Sequence, residues 1–581
     1  MKTAKNAILI LILIVASWNA GNAQGFNIKI KINGLKNASI ILGHYFNDKL
    51  YPDDTTDLDN SGVGYFKGTK PLPGGMYVFF LPNKSIFEVI LDKDQDFYVE
   101  NDTVNFDQKM KIEGSQENTL LYEYKRSNSG MYAKHKELQD KRTAETNPTK
   151  QAALDEEIRK LADQRLAYMT KIVNENPNLF FTKFLTSLKE PEVPQNMNDA
   201  EKYYYYVNHF FDNFDVSDPR LLRTPIYQNK IDAYLKLLQP IPDSIIPRVD
   251  WLVAQAKKEK SEELQRFMLA FLFNNYSQSK LMIMENVYIH IAQKYYIGGD
   301  APWYGEEDMK KLKEKVRKTL PNMVTKVAPE LKMQTLPSDS NAVRRMKETL
   351  VGTKKRGIDA KANHKGTEEE LDKVYVDIFE EYAQQMEGFT SLHQVEALNT
   401  ILWFWEPSCS HCQEATPKLE ELLKKFRKQD LEIYSVVSYG FIRDWDKFTK
   451  NIDGWFDFVI KHKLYNFTNV WDVYERTQFR ELYDVFSTPT VYLLDKDKKI
   501  IAKRIDVEQI EEILMDELVY HYYTKYKDNE RVRQLTDFIA PFKNKKELDL
   551  LSNSLAKGVA DEGLRNQLLK IVEGKKAKAS E

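Results

Sequence analysis

Cysteine is nearly absent from this chain. Among 581 residues there are two, Cys409 and Cys412, and none precedes residue 409. No lipid anchor on an N-terminal cysteine is therefore expected. Histidine is also scarce: nine are scattered along the sequence, and only His411 adjoins the thiols. A four-ligand zinc site would need partners that the sequence does not supply, so no metal is expected. Net charge is −2, from 84 basic and 86 acidic side chains, which gives no reason to expect nucleic acid as a partner. Beyond the first residues no apolar run is long enough to span a bilayer, which takes roughly 20 residues.

The first residues do have a pattern. Lys2 and Lys5 precede an apolar stretch at 7–16, and small residues follow at Gly21 and Ala23. The order charged, apolar, small is that of a secretory signal cut after Ala23. The stretch is too short for an anchor helix. Residues 1–23 are thus expected to be removed, and the mature protein to be exported, most simply to a periplasm, where disulfide exchange is possible.

The two cysteines lie in the most informative stretch. Residues 400–405 (TILWFW) form a short run of branched and aromatic side chains, ended by Glu406-Pro407, and are expected to be a buried strand. Leu419, Leu422, Leu423 and Phe426 then recur at helical spacing. Cys409 and Cys412, separated by Ser410 and His411, fall at the turn from strand into helix. Free N–H groups and the positive end of the helix dipole favour a thiolate there, and such cysteines have pKa values below the usual ~8.5. Cys409, the first and more exposed, is the candidate nucleophile. Cys412, one turn further and more buried, is the candidate resolving thiol. A protonated His411 would stabilise the thiolate further. A purely structural disulfide between them would close a very small loop, which contributes little stability.

Strand, Trp405-Glu406-Pro407-Ser408-Cys409-Ser410-His411-Cys412, helix resembles the thioredoxin signature. Pro417 stands where that family has a helix-bending proline. Ser487-Thr488-Pro489-Thr490-Val491 resembles the family's cis-proline loop, which implies that Pro489 packs beside the cysteines and that the backbone at Thr488 pairs with a partner's chain. Residues 400–512 are most similar to the exported thioredoxin-like proteins of the TlpA and ResA type, especially their multidomain relatives. Many of these carry a glutamate three residues after the second cysteine. Here that position is Ala415, and the carboxylate is its neighbour Glu414.

The remaining chain is read in segments, with about three to five domains expected from its length. Residues 24–115 alternate apolar and polar over 26–32, with further strands at 39–45, 76–81, 87–91, 97–100 and 111–115. They resemble the small β-sandwich found ahead of such thioredoxin-like domains. Residues 116–320 are expected to be a helical module, including amphipathic 154–175 and an aromatic group from Tyr203 to Tyr206 with Phe210 and Phe211. Helix packing accounts for these rings more simply than a peptide groove does. Residues 321–525 form the expected thioredoxin-like domain, opening at 327–331. An insertion at about 338–397 carries two helical patterns around a basic, glycine-dotted middle and is expected to be a solvated excursion. Strand 431–438, helix 445–463, hairpin 490–494 and 500–505 and closing helix 508–520 complete it. Residues 526–581 are expected to be a partly frayed helical tail.

The expected class is thus a multidomain α+β protein: β-sandwich, helical module, thioredoxin fold with an insertion, helical tail. The expected activity is thiol-disulfide exchange through Cys409 and Cys412, most simply as a reductase. His411, Ser410, Trp405, Pro489, Thr488 and Glu414 would support the pair, and the dithiol itself would replace any cofactor. Expected partners are exported proteins bearing thiols or disulfides and a separate electron donor or acceptor; a homodimer fits such enzymes. The alternative is a binding or scaffold protein whose thioredoxin-like part is a redox gate or a vestige.

Overall fold

The computed structural model describes residues 25–439, 444–472 and 474–579. The expected leader, 1–23, lies outside the described residues. The chain forms two compact units, Met1–Leu272 and Phe273–Glu581.

The first unit begins with two four-stranded sheets. One has the order β4-β1-β7-β8 and the other β3-β2-β5-β6. The strands are β1 Phe26–Ile32, β2 Ser39–Phe46, β3 Lys49–Asp57, β4 Val63–Gly68, β5 Gly75–Phe80, β6 Ile86–Leu91, β7 Asp96–Asn101 and β8 Lys111–Glu113. The alternation in β1 buries Ile28, Ile30 and Ile32 on one face. Phe66 of one sheet meets Phe79 of the other at 5.5 Å between ring centres, so the sheets share a core. Two strands, β3 and β4, were not expected. β3 (KLYPDDTTD) reads as a turn because of its proline and acidic residues. It is an edge strand, and the pairing with β2 shifts register where Gly43 meets Pro52. Proline is tolerated at an edge and at an irregularity because it has no N–H to give to the ladder.

Helices follow, opening with α1 Gln116–Ala144 and α2 Pro148–Glu175. Asn118 in α1 exchanges two hydrogen bonds with the Ile90 backbone, at 2.7 and 2.8 Å, tying the helix to β6. The aromatic group at 203–211 mostly packs: Phe211 lies against Tyr234 and Trp251, and the Tyr203 hydroxyl donates to Leu237 O.

The second unit is built on a seven-stranded mixed sheet, order β10-β9-β13-β12-β11-β14-β15. Its strands are β9 Lys332–Thr335, β10 Phe389–Ser391, β11 Asn399–Trp405, β12 Leu431–Val437, β13 Thr468–Trp471, β14 Thr490–Leu494 and β15 Ile500–Lys503. β11 runs parallel to β12 and antiparallel to β14. Every residue of β11 is buried, which explains the unbroken apolar run from Ile401 to Trp405. The opening strand is displaced from the expected 327–331: Val327 makes only an isolated bridge to Lys499, and the strand proper begins at Lys332.

The expected solvated insertion is instead part of the core. It forms α3 Ser340–Asn363, α4 Glu368–Ala383 and strand β10. Val343, Met346, Tyr375, Phe379 and Tyr382 are buried in the same apolar cluster as Trp405 and Cys412. α3 packs on α6, Trp445–His462. Of the glycines in the expected middle, Gly357 sits inside one continuous helix and Gly366 lies just beyond its end. At Gly357 there is a reason for glycine: a Cβ there would lie 2.0 Å from the Trp445 ring. The Trp445 indole donates to Lys354 O at 3.0 Å.

The tail is likewise not frayed. Beyond α7 (Val507–Lys525) come α8 Asp528–Ile539, α9 Lys545–Gly558 and α10 Glu562–Ala579. Their apolar faces, including Leu535, Phe538, Leu551, Leu555 and Val572, belong to the same core. The Lys/Glu-rich composition reflects their outer faces.

The two helix glycines of α3 make opposite predictions. Gly357→Ala should lower stability by about 1–3 kcal/mol because the ring of Trp445 must move. Gly352→Ala has open space around it and should raise stability by roughly 0.5–1 kcal/mol. Urea unfolding followed by circular dichroism checks both.

Candidate active site

The buried strand β11 ends at Trp405, and the chain turns at once into α5, Ser410–Lys425. Two contacts hold this turn. Cys409 N–H donates to Glu406 O at 3.1 Å, and the Gln413 side chain donates to Pro407 O at 2.8 Å. Cys409 is therefore the residue that caps α5, with extended φ and ψ of −82° and 121°. Its sulfur is half-buried at the mouth, whereas Cys412 is fully buried. Both are free thiols.

From the other side comes the loop before β14. Its Thr488–Pro489 peptide is cis, and the Cys409 thiol donates to Thr488 O at 3.2 Å. Pro489 is half-buried.

The two thiols are driven apart electrostatically. Burial alone would raise Cys409. The Cys412 thiol and the backbone N–H groups of Cys412 and His411 outweigh it and hold Cys409 below the ordinary thiol range. Burial dominates at Cys412 and pushes it up to about 12; the Glu406 N–H aimed at its sulfur offsets only part of this, and Cys409 adds to the rise. The two sulfurs thus differ in acidity, Cys409 below and Cys412 above the ordinary thiol range.

The supporting residues named from sequence separate into three groups. Thr488 and Pro489 stand beside the pair. Ser410, His411 and Glu414 are exposed on the first turns of α5, and His411 and Glu414 face a groove of about 790 Å³. This groove runs between α5, the proline loop and the start of α7, and carries the ion pairs Lys418–Glu508 and Asp484–Arg504. Trp405 differs: its indole is fully buried, stacks on Trp403 at 4.6 Å and donates to Ser435 Oγ at 2.7 Å. It supports the strand from the core and makes no hydrogen bond to a thiol.

Three residues were missed. Phe486, 71% exposed, stands at the groove three residues before Pro489. Glu406 and Tyr439 lie at the inner side of the pair. Burial raises the Glu406 carboxyl above its usual range, with Arg480 and Lys447 partly opposing. A lone carboxylate ending the apolar run Ile401–Trp405 was the available signal for Glu406. Among the described residues, no group of three or more His, Cys, Asp or Glu side chains could hold a metal ion.

A buried mixed sheet whose central strand ends in a Cys-Ser-His-Cys turn opposite a cis-proline loop defines a thioredoxin-like oxidoreductase. Residues 379–503 match the model of the AhpC/TSA family, and that segment is a thioredoxin-like domain. Residues 26–121 and 131–322 match two domains of unknown function, DUF4369 and DUF5106. Among solved structures the chain is similar to a thioredoxin-like protein from Bacteroides caccae: identity is 18% over 56% of this chain and 97% of that one, with a TM-score of 0.32. It is also similar to a domain of a possible thiol-disulfide isomerase from Cytophaga hutchinsonii, with 35% identity over 22% of this chain and 80% of that one and a TM-score of 0.19. The thioredoxin domain of a thiol-disulfide oxidoreductase from Bacteroides vulgatus is 18% identical over 33% of this chain and 97% of that one, with a TM-score of 0.20. A search of curated proteins finds no match.

The separation of the thiols has a direct readout. Alkylation of the reduced protein by iodoacetamide should modify Cys409 alone, with a rate that titrates below the ~8.5 of a free thiol. Cys412 should react only after unfolding. Mass spectrometry of the labelled peptide against pH checks this.

Proposed function

We propose that this protein is an exported thiol-disulfide oxidoreductase that reduces disulfides in partner proteins through Cys409 and Cys412. The observation that carries the reading is the asymmetry of the pair: one sulfur at a helix start within 3.2 Å of the Thr488 carbonyl, the other fully buried behind it. In the first step the Cys409 thiolate attacks one sulfur of the partner's disulfide. A mixed disulfide forms, and the partner's other sulfur leaves as a thiolate. In the second, Cys412 gives up its proton and attacks the Cys409 sulfur; the Cys409–Cys412 disulfide forms, and the partner's remaining sulfur leaves. Two electrons pass to the partner, and a separate exported donor must restore the dithiol.

The groove beside Pro489, with exposed Phe486 and His411 at its edge, is suited to an extended segment of a partner. Export is supported by the basic, apolar and small-residue order of residues 2–23. The reductive direction is supported by the resemblance to TlpA- and ResA-type proteins. No cofactor beyond the dithiol is needed for this chemistry.

Equilibration with glutathione should give a reduction potential near thioredoxin's, about −270 mV. A value near −120 to −180 mV would reverse the direction and make the protein an oxidant or isomerase. Cys409→Ser should abolish exchange, while Cys412→Ser should trap a mixed disulfide with the partner. Partner binding and function retained in Cys409→Ser despite loss of exchange would transfer the function to a binding or scaffold role of the other domains.

A further inference from the structure

The exchange chemistry leaves the choice of partner open. Two features of the groove beside Pro489 bear on it.

The first is a braced aromatic ring. Phe486 is 71% exposed and lines the groove three residues before Pro489. A single exposed apolar side chain is ordinary, but this one is held in place. The helix Glu306–Thr319 and the turn Leu320–Asn322 precede every strand of the seven-stranded sheet. They grip the segment that leads into the proline loop. Arg317 pairs with Glu481 at 3.1 Å. The side chain of Asn322, almost fully buried, donates to Leu482 O at 2.9 Å and accepts from Lys503 of β15 at 2.9 Å. Lys318, paired with Glu314 at 3.2 Å, sets its ammonium 4.6 Å from the centre of the Phe486 ring. Two residues before the ring, Asp484 is paired with Arg504. A ring fixed in this way loses little freedom when another side chain packs on it, and rigid aromatic rings are common anchors of interfaces.

The second feature is charge. Lys418 is paired with Glu508, and Arg504 with Asp484. Glu414 and Asp506 line the same groove, and neither has an ion pair among the described residues. The groove therefore carries an excess of negative charge, which favours a positive segment over a negative one.

We propose that the braced Phe486 ring and the acidic groove select partners whose cysteine lies in an extended, basic segment. A large apolar side chain next to that cysteine packs on Phe486, and a neighbouring lysine or arginine faces Glu414 and Asp506. This rests on the exchange reading above and names the class of segment it acts on. Phe486 is then a specificity-determining residue, and Lys318 and Asn322 are positioning residues. The helix Glu306–Thr319 thereby shapes the partner site without touching either thiol.

The test uses the reduced full-length protein in excess over short fluorescent peptide pairs joined by one disulfide. Three probes differ only beside the cysteine: Phe-Cys-Lys, Ser-Cys-Lys and Phe-Cys-Glu. Single-turnover rates at increasing protein concentration separate half-saturation from maximal rate, and no electron donor is needed. The wild type should reduce Phe-Cys-Lys roughly tenfold faster, below saturation, than either other probe. The difference should lie in half-saturation. In Phe486→Ser the advantage of phenylalanine over serine should vanish while that of lysine over glutamate stays. Lys318→Ala should lose part of the phenylalanine advantage. Glu414→Gln and added salt should shrink the lysine advantage alone. Each ratio is taken within one variant, so a general disturbance of the thiols cancels. Equal wild-type rates on the three probes, or a phenylalanine advantage that survives Phe486→Ser, would overturn the proposal and leave the exchange reading standing. A wild type that reduces none of the probes, although iodoacetamide alkylates its Cys409, would overturn both. If Phe486→Ser does not fold, the wild-type ratios decide: a ratio of one for either pair overturns the proposal.

Discussion

The arrangement depends on one constraint: a strand buried on both faces must give way, within a few residues, to the start of a helix. β11 has no solvent-facing residue, so its direction is fixed by neighbours on both sides. That rigidity places Cys409 at the α5 cap opposite the Thr488 carbonyl. The same geometry explains why two thiols three residues apart behave differently. One turn of helix carries the second sulfur from the mouth into the core, so desolvation acts fully on Cys412, while helix N–H groups act on Cys409.

What surrounds the strand is larger than the motif implies. The sheet has seven strands, and its apolar core is shared with α3, α4 and the three C-terminal helices. Lys425, at the far end of α5, is held by Glu511 at 3.0 Å and Glu547 at 2.8 Å. The helix that begins at the cysteines is thus gripped at its other end by the tail, which anchors the geometry of the pair.

Much of this was legible in the chain. Strand β1 follows from strict alternation and β11 from its continuous apolar run. The cysteine pair and Pro489 follow from spacing and resemblance. What was not legible has physical causes. Strand β3 carries Pro52 and acidic residues because an edge strand has no second neighbour to satisfy. Strand β13 is only Thr468–Trp471, too short for a period to emerge. α3 carries Gly357, which suggests a break and is explained only by Trp445, far away in sequence. Glu406 looked like a strand boundary because its neighbours, Tyr439 and Arg480, are brought to it by the fold alone. The tail looked frayed because composition averages over both faces of an amphipathic helix.

The crowding of indoles in the second unit has a consequence of its own. Of eight tryptophans, Trp403, Trp405, Trp445, Trp455 and Trp471 are fully or almost fully buried and lie in the one cluster that also holds Cys412. The indole N–H groups of Trp403, Trp455 and Trp471 have no hydrogen-bond partner among the described residues. Their surroundings are dry and apolar, so their emission is expected to lie to the blue of an exposed indole. The protein therefore carries an optical gauge in the same core as the buried sulfur, one that needs no added dye.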